Sequence, residues 1–431
     1  MFQVVPEKDT SGPRAVGAAK RGGSLFRDRD YTAWWIGTTV SGYGSALAAF
    51  AYPLLILSVT GSSASAGIVA SAEGIGTLAT MLVGGALVDR VSRRAILVAS
   101  PLVQAVAVST VVVAVLTDHI GIVHVAVVGL VQGLAVGVAN GAELPVLRRL
   151  VPEERLATAF ALVQGRDMAI RLVGPSTGGV LFGLARWFPF VGDVVSFLVG
   201  ALGAALVRRP LGPDPEQREA RREPLPTSIA EGLRFIRSNA YLRYLTVWCA
   251  LSNAITGGLL LSVVLLITDR RGDPALVGAV TSLGALGGLV GAAVSGRIAR
   301  KVPGRLLVVA VSWMVVAALV GIALVPAPWA IGVLLALVFV FIAPLNVVFG
   351  TYEVRLIPDA LMGRVSSAIN FGAVSIRWLG PLVAGALASA FGPTAAMLGF
   401  AGIQAALAVS TVLASGLHVL DVPVDEVTAA G

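Results

Sequence analysis

Twelve apolar runs, each long enough to cross a bilayer, constrain this chain more than any other feature. They fall at 33–58, 64–88, 96–117, 120–142, 157–183, 188–207, 244–268, 275–296, 306–325, 329–351, 365–391 and 394–417. A helix needs ~20 apolar residues to span ~30 Å of hydrocarbon. The runs are continuous, unlike the ~10-residue alternating segments of a membrane barrel. Hydrophobic residues make up 56% of the 431 and charged residues 13%, against ~25% charged in an average soluble domain. No single water-facing core hides that much apolar surface, so lipid is the expected solvent. The expected fold class is an all-α membrane protein with twelve transmembrane helices.

Charge position then sets orientation. Lys and Arg gather on the cytoplasmic side of membrane proteins. With the N-terminus inside, and Arg166, Arg171 and Arg377 assigned to the inner side of their runs, 29 of the 32 basic residues are cytoplasmic. Only Arg186, Arg270 and Arg271 fall outside. The expected location is the cell membrane, multi-pass, with both termini cytoplasmic. The net charge of +8 is scattered through short breaks and forms no basic-aromatic surface of the kind that binds nucleic acid. Residues 1–24 are basic without an apolar stretch and read as a cytoplasmic tail, not a signal peptide. The Pro-, Arg- and Glu-rich stretch 208–240 reads as a cytoplasmic linker with a short amphipathic helix near 227–238. It separates six-helix bundles at 25–207 and 241–418, followed by a tail at 419–431. Cys249 is the single cysteine, which excludes an intrachain disulfide and a cysteine metal site.

The two halves are copies. A shift of 206 positions overlays Asn140 on Asn346, Arg149 on Arg355, Gln164 on Asn370 and Arg171 on Arg377. It also overlays Gly174-Pro175 on Gly380-Pro381 and Gly179 on Gly385. Two related bundles about a midplane site are the architecture of an alternating-access transporter. Gly284, Gly287, Gly288 and Gly291 add a small-residue stripe suited to close helix packing.

Two motifs carry a family resemblance over 25–417. The segment Gly76-x8-Gly85-Ala-Leu-Val-Asp89-Arg90-Val-Ser-Arg93-Arg94 resembles the loop signature between helices 2 and 3 of the major facilitator superfamily, with Ser92 in place of a glycine. The resemblance implies the major facilitator fold, two pseudo-symmetric six-helix bundles. It also implies a gating latch in which Asp89, with Gly85, Arg90, Arg93 and Arg94, faces the start of the eleventh helix near Gly363 and Arg364. A carboxylate at a helix N-terminus gains ~0.3–1 kcal/mol from the dipole. Gly174-Pro175-Ser-Thr-Gly178-Gly179 is similar to the fifth-helix element of the superfamily's drug–proton antiporters, with Ile170 where a glycine is usual. A proline-kinked, glycine-lined helix packs closely and is expected to seal a leak path. The fourth-helix arginine of the superfamily is missing: Gln132-Gly133 is present, but Gly129 holds the arginine position. Leu25–Tyr31, Thr60-Gly61-Ser62 and Asp193-Val-Val-Ser196-Phe197 resemble the enterobactin-exporter and macrolide-efflux branch.

Ionisable groups inside spans mark function by default. Glu73, Asp167 and Asp193 are the proton-coupling candidates, with Glu143 nearer an interface. Glu73 is the deepest and has no basic neighbour in sequence; such a carboxyl can exchange a proton near neutrality. Asp193 can equally serve as a hydrogen-bonding residue at the start of its helix. Asp167 and Arg171, four apart, are expected to pair along the fifth helix. Arg171 and Arg377, with Asn140, Gln164, Asn346 and Asn370, are cavity or gate candidates. The arginine pair can bind an anionic group or steady the closed cytoplasmic side.

Gly174-Pro-Ser176-Thr-Gly178 also fits G-x-S-x-G, but a hydrolase elbow needs a preceding strand and a placed histidine. No Walker A or HExxH pattern occurs. No enzyme activity, cofactor or metal is expected. The leading reading is a monomeric exporter of a small amphipathic molecule (a drug, macrolide or siderophore-like compound) by proton antiport. A facilitator importing or exchanging a metabolite is the alternative, and a non-transporting scaffold a third.

Overall fold

The computed structural model describes residues 24–211, 225–359 and 361–421; the side chains of 82–90, 225–230 and Ser415 lie outside the description. Among the described residues there are fourteen α-helices. The first half comprises α1 (Arg29–Thr60), α2 (Ser63–Arg90), α3 (Arg93–Leu116), α4 (Ile122–Leu150), α5 (Leu156–Leu184) and α6 (Phe188–Leu206). A linker helix, α7 (Leu225–Ser238), follows. The second half comprises α8 (Ala240–Asp269), α9 (Pro274–Lys301), α10 (Gly304–Leu324), α11 (Pro328–Leu356), α12 (Met362–Val374), α13 (Leu379–Phe391) and α14 (Pro393–Leu413). Ten of the described helical spans, counting α12 and α13 as one, are long and apolar enough to cross a membrane. The 28-residue α2 and 29-residue α5 are as long, but polar residues dilute them: Glu73 with serines, glycines and threonines in α2, Arg166, Asp167 and Arg171 in α5. With these two there are twelve spans, six in each half.

One expected helix is not continuous. The eleventh run, read as a single span over 365–391, is broken into α12 and α13 by a turn at 375–378. Pro381 contributes, since it has no N–H to give and crowds the carbonyl four residues back. Pro175 occupies the related place in α5, yet α5 continues through it.

The even number of spans puts residue 24, the linker and Asp421 on one face, here called the basic face. The ends are tied down there. Asp28 caps α1 by accepting the amides of Asp30 and Tyr31. Asp30 accepts the amides of Arg208 and Arg209 beyond α6, and Arg209 pairs with Asp28 at 2.5 Å. A 3-10 turn, Ser415–Asp421, buries Leu417 and Leu420 and is held by an Arg305–Asp421 pair at 2.7 Å.

Close helix contacts follow the glycines. A Cβ on Gly287 would lie 2.1 Å from the Ala336 carbonyl and one on Gly291 2.2 Å from that of Val340. The stripe on α9 therefore lets α11 approach at backbone distance. Gly288, fourth of the set, faces looser space, with Phe339 at 3.9 Å.

Candidate functional site

The two halves meet along α2–α13 and α5–α9, with lesser contact of α8 with α1 and α2. Among the described residues, all the close approaches lie in the parts of these helices remote from the basic face. A Cβ on Gly67 would stand 2.6 Å from the Pro381 carbonyl, and one on Gly385 2.5 Å from the Ser63 carbonyl. Across α5–α9, a Cβ on Gly179 would stand 2.2 Å from the Pro274 carbonyl and one on Gly278 2.4 Å from the Pro175 carbonyl. Ser176 completes this seam, donating its hydroxyl to Ser282 Oγ at 2.8 Å, while its amide donates to the same oxygen at 3.2 Å. The Gly174–Gly179 element thus has two sides. Gly174 and Gly178 pack on α1 of their own half, and Pro175, Ser176 and Gly179 close against α9 of the other.

Toward the basic face the halves part. Gly165 on α5, Gly350 on α11 and Gly363 on α12 have open space around them. Asn140, Gln164, Arg171, Asn346, Asn370 and Arg377 are all exposed, although they sit within long spans. Among the described residues the two halves therefore approach closely only away from the basic face, with a gap on the basic side.

At the depth where the gap closes, charges from the two halves meet. Glu73 of α2 is partly buried and interacts electrostatically with Arg377, in the α12–α13 break. Arg377 in turn stands within electrostatic reach of Arg171 on α5. Arg171 makes no ion pair or hydrogen bond among the described residues. The α2 backbone at Glu73 is packed hard on α4: a Cβ on Gly133 would lie 2.0 Å from the Glu73 carbonyl. Next to it, Gly74 abuts Trp378, whose Cβ would be 3.0 Å from a Cβ on that glycine. Trp378 and Glu73 therefore bracket the junction of the halves.

Asp193 lies inside the first bundle instead of at a helix start. It is 0% exposed, accepts from Gln132 Nε2 at 3.4 Å, and lies 3.5 Å from the Ser196 hydroxyl. It also interacts electrostatically with Glu73 and Tyr52. The Tyr52 hydroxyl and Gln132 Oε1 are buried without a hydrogen-bond partner.

The expected Asp167–Arg171 pair does not form. Asp167 pairs with its neighbour Arg166 at 2.9 Å, and Arg166 also reaches Glu143 of α4 at 3.1 Å and Thr38 of α1 at 2.8 Å. The Arg166 side chain is only 6% exposed, while its two acids are 37% and 43% exposed. Arg166 thus pins α1, α4 and α5 together, a role missed by reading it as a topology charge. The local signal was available: three charges over six residues of one span need a shared partner.

The latch residues Gly85, Asp89 and Arg90 have side chains outside the described residues. Of the other members, Arg94 donates to the Ala205 carbonyl at the end of α6 at 2.5 Å, and Arg93 is buried. Arg364, at the helix start that the latch was expected to face, pairs with Glu231 of the linker helix.

Comparison with known proteins places this geometry. A profile of the Major Facilitator Superfamily matches residues 34–378. The multidrug efflux pump Tap of Mycolicibacterium fortuitum is 27% identical over 392 residues, covering 88% of this chain and 94% of that protein. The Tap pump of Mycobacterium tuberculosis (strain ATCC 25618 / H37Rv) is 28% identical over 379 residues, covering 84% and 88%. Among solved structures, the D323A mutant of the nucleoside transporter NupG superposes with TM-score 0.72 at 13% identity, covering 91% of this chain and 100% of that one. A bacterial homologue of the iron transporter ferroportin, in an inward-facing state, gives 0.65 at 18% identity over 89% and 99%. The profile spans most of the sequence, and the twelve spans, duplicated halves and central gap agree with it: this chain belongs to the Major Facilitator Superfamily.

Proposed function

We propose that the protein is an exporter that exchanges protons for a small amphipathic molecule across the cell membrane. The relatives named multidrug efflux pumps support export. The excess of Lys and Arg on the basic face supports placing it, with both termini, in the cytoplasm. The conformation described is then the one that loads substrate from inside.

The observation that carries the coupling is that Glu73 of one half lies within electrostatic reach of Arg377 of the other, without an ion pair between them among the described residues. An ionised Glu73 attracts Arg377 and keeps the halves drawn together at that depth. A protonated Glu73 loses that attraction, so binding a proton biases the rocking of one bundle against the other. A charge shift of this kind moves an equilibrium only by its differential interaction with the two states, and a cross-boundary pair supplies that difference. The Asp193 pocket, behind Glu73 and out of the gap, sets the local field. Glu143 and Asp167, tied to Arg166, belong to the scaffold.

Inside-out proteoliposomes with an imposed pH gradient test this, using ethidium, erythromycin and a catecholate siderophore as probes. Gradient-driven uptake of at least one probe is expected, and a Glu73→Gln variant should lose the gradient dependence while still binding it. Full gradient-driven transport by Glu73→Gln would remove Glu73 from the coupling role. Uptake by the wild-type protein that ignores the gradient would remove proton antiport itself.

A further inference from the structure

The α12–α13 break leaves a backbone carbonyl that the helix cannot satisfy, and a residue from another helix satisfies it. Through the break, amides turn to partners three residues back: Arg377 N–H to Val374 O at 3.1 Å, Leu379 N–H to Ile376 O at 3.0 Å, and Gly380 N–H to Arg377 O at 3.2 Å. In an uninterrupted helix the Arg377 amide would serve the Ala373 carbonyl. It no longer does. Asn253 of α8 supplies the missing donor, its Nδ2 reaching Ala373 O at 3.0 Å.

The first half shows what happens without that donor. Ala46 of α1 lies against Gly174 as Ala254 of α8 lies against Gly380. The residues before them, Ser45 and Asn253, are therefore counterparts. Ser45 makes no side-chain hydrogen bond among the described residues. Beside it α5 carries the same Arg-x-x-Gly-Pro segment, Arg171 to Pro175, as an unbroken helix. Proline alone does not open the turn; the asymmetry between the halves tracks the amide.

We infer that Asn253 is a positioning residue that holds the turn at 375–378 open, so that α12 hinges there as the arm of the basic-face gate and Arg377, in the turn, keeps its place relative to α2. The surroundings of α12 fit an arm. It packs on α8 and on linker helix α7, and its described contacts with the first half are too few to form a seam. Its N-terminal end is held by the linker, with Gly232 against the Arg364 carbonyl and Glu231 paired to the Arg364 side chain. α13, beyond the hinge, stays clamped to α2 through Gly67 and Gly385. One segment of the span is thus fixed to the other half, while its neighbour is carried by its own half and the linker. The coupling part of this inference rests on the Glu73–Arg377 reading; the hinge part does not.

The test uses full-length protein in a Cys249→Ser background, with spin labels at Gly363→Cys on α12 and Glu154→Cys in the first half. The expected result is a distance distribution that shifts between pH 6 and pH 8 and that Asn253→Leu, similar in size but without a donor, collapses to one position. Gradient-driven ethidium uptake by Asn253→Leu should fall about tenfold, the equilibrium effect of leaving one partly buried carbonyl unsatisfied. Asn253→Gln, which keeps the donor, should retain most of both responses. Wild-type behaviour of Asn253→Leu in the distance measurement overturns the hinge, as does Asn253→Gln failing as badly as Asn253→Leu. Should Asn253→Leu fail to fold, amide hydrogen exchange on the wild-type protein decides. Exchange at 375–379 faster than in α12 and α13 supports the open turn, and uniform protection across 362–391 overturns it. Glu73→Gln is run in parallel: if it transports normally the coupling reading fails, while the distance and exchange results still judge the hinge.

Discussion

Arg166 shows how one side chain in a span finds its place. Its guanidinium is buried and serves Glu143, Asp167 and Thr38 on three helices. Removing one partner of a buried ion pair leaves uncompensated charge, at a cost of ~3–5 kcal/mol. Because the two acids here are partly exposed, the cost should sit near the lower end. Arg166→Met is expected to lower the thermal unfolding temperature in detergent, and adding Glu143→Gln and Asp167→Asn should recover much of the loss. No recovery would mean that Arg166 acts by packing alone. Glu73 was legible as a candidate because an acid deep in a span is rare, but its cation was not. Arg377 is 304 positions away, and only the docking of two bundles brings them together. The Asp167–Arg171 expectation failed for a related reason: spacing along one helix permitted the pair, and a neighbour shared with α1 and α4 outcompeted it.

Among the elements, the α5–α9 seam and the Ser415–Asp421 turn make separate predictions. Ser176→Ala removes one cross-half hydrogen bond, worth about 1 kcal/mol, and should shift the equilibrium toward the state open at the opposite face by about fivefold. Gly179→Leu should do more, since even a Cβ there meets the Pro274 carbonyl at 2.2 Å. Reactivity of an Ala275→Cys thiol, in the same seam and in a Cys249→Ser background, with a membrane-impermeant maleimide measures both, and unchanged reactivity in Gly179→Leu would rule out the seam as a gate. The turn depends on pH in a defined sense. Its hydrogen bond from Arg305, helped by His418, holds the Asp421 carboxyl below the usual carboxylate range. A depressed carboxyl contributes stability above the ordinary value of about 3.9, and that contribution fades as pH falls through the depressed one. A spin label at Val419 should therefore be immobile at pH 7 and mobile in strong acid, and Arg305→Ala should make it mobile at both. The α12–α13 break belongs to this scale as well. Pro381 announced a disturbance, but Pro175 announced the same one in α5, where the helix continues.

For the whole molecule, orientation follows from the basic face. Cysteines at Glu154 and Asp118, both exposed, should be labelled from opposite sides of intact cells by impermeant maleimides, with Asp118→Cys reacting from outside. The reverse pattern would invert the loading side and with it the export reading. The sequence by itself determined the solvent, the number of spans, the duplication and the family, because hydropathy, charge placement and repeated motifs are local properties written along the chain. It also marked six residues that are exposed within spans, since they form three pairs of like polar residues 206 positions apart. Only the tertiary structure decided that the halves part toward the basic face, that Glu73 and Arg377 come within electrostatic reach, that Arg166 anchors three helices, and that the helix breaks beside only one of two equivalent prolines. Those outcomes depend on which surfaces of separate bundles lie in contact, and contact between distant segments is set by packing, which no short stretch of sequence contains.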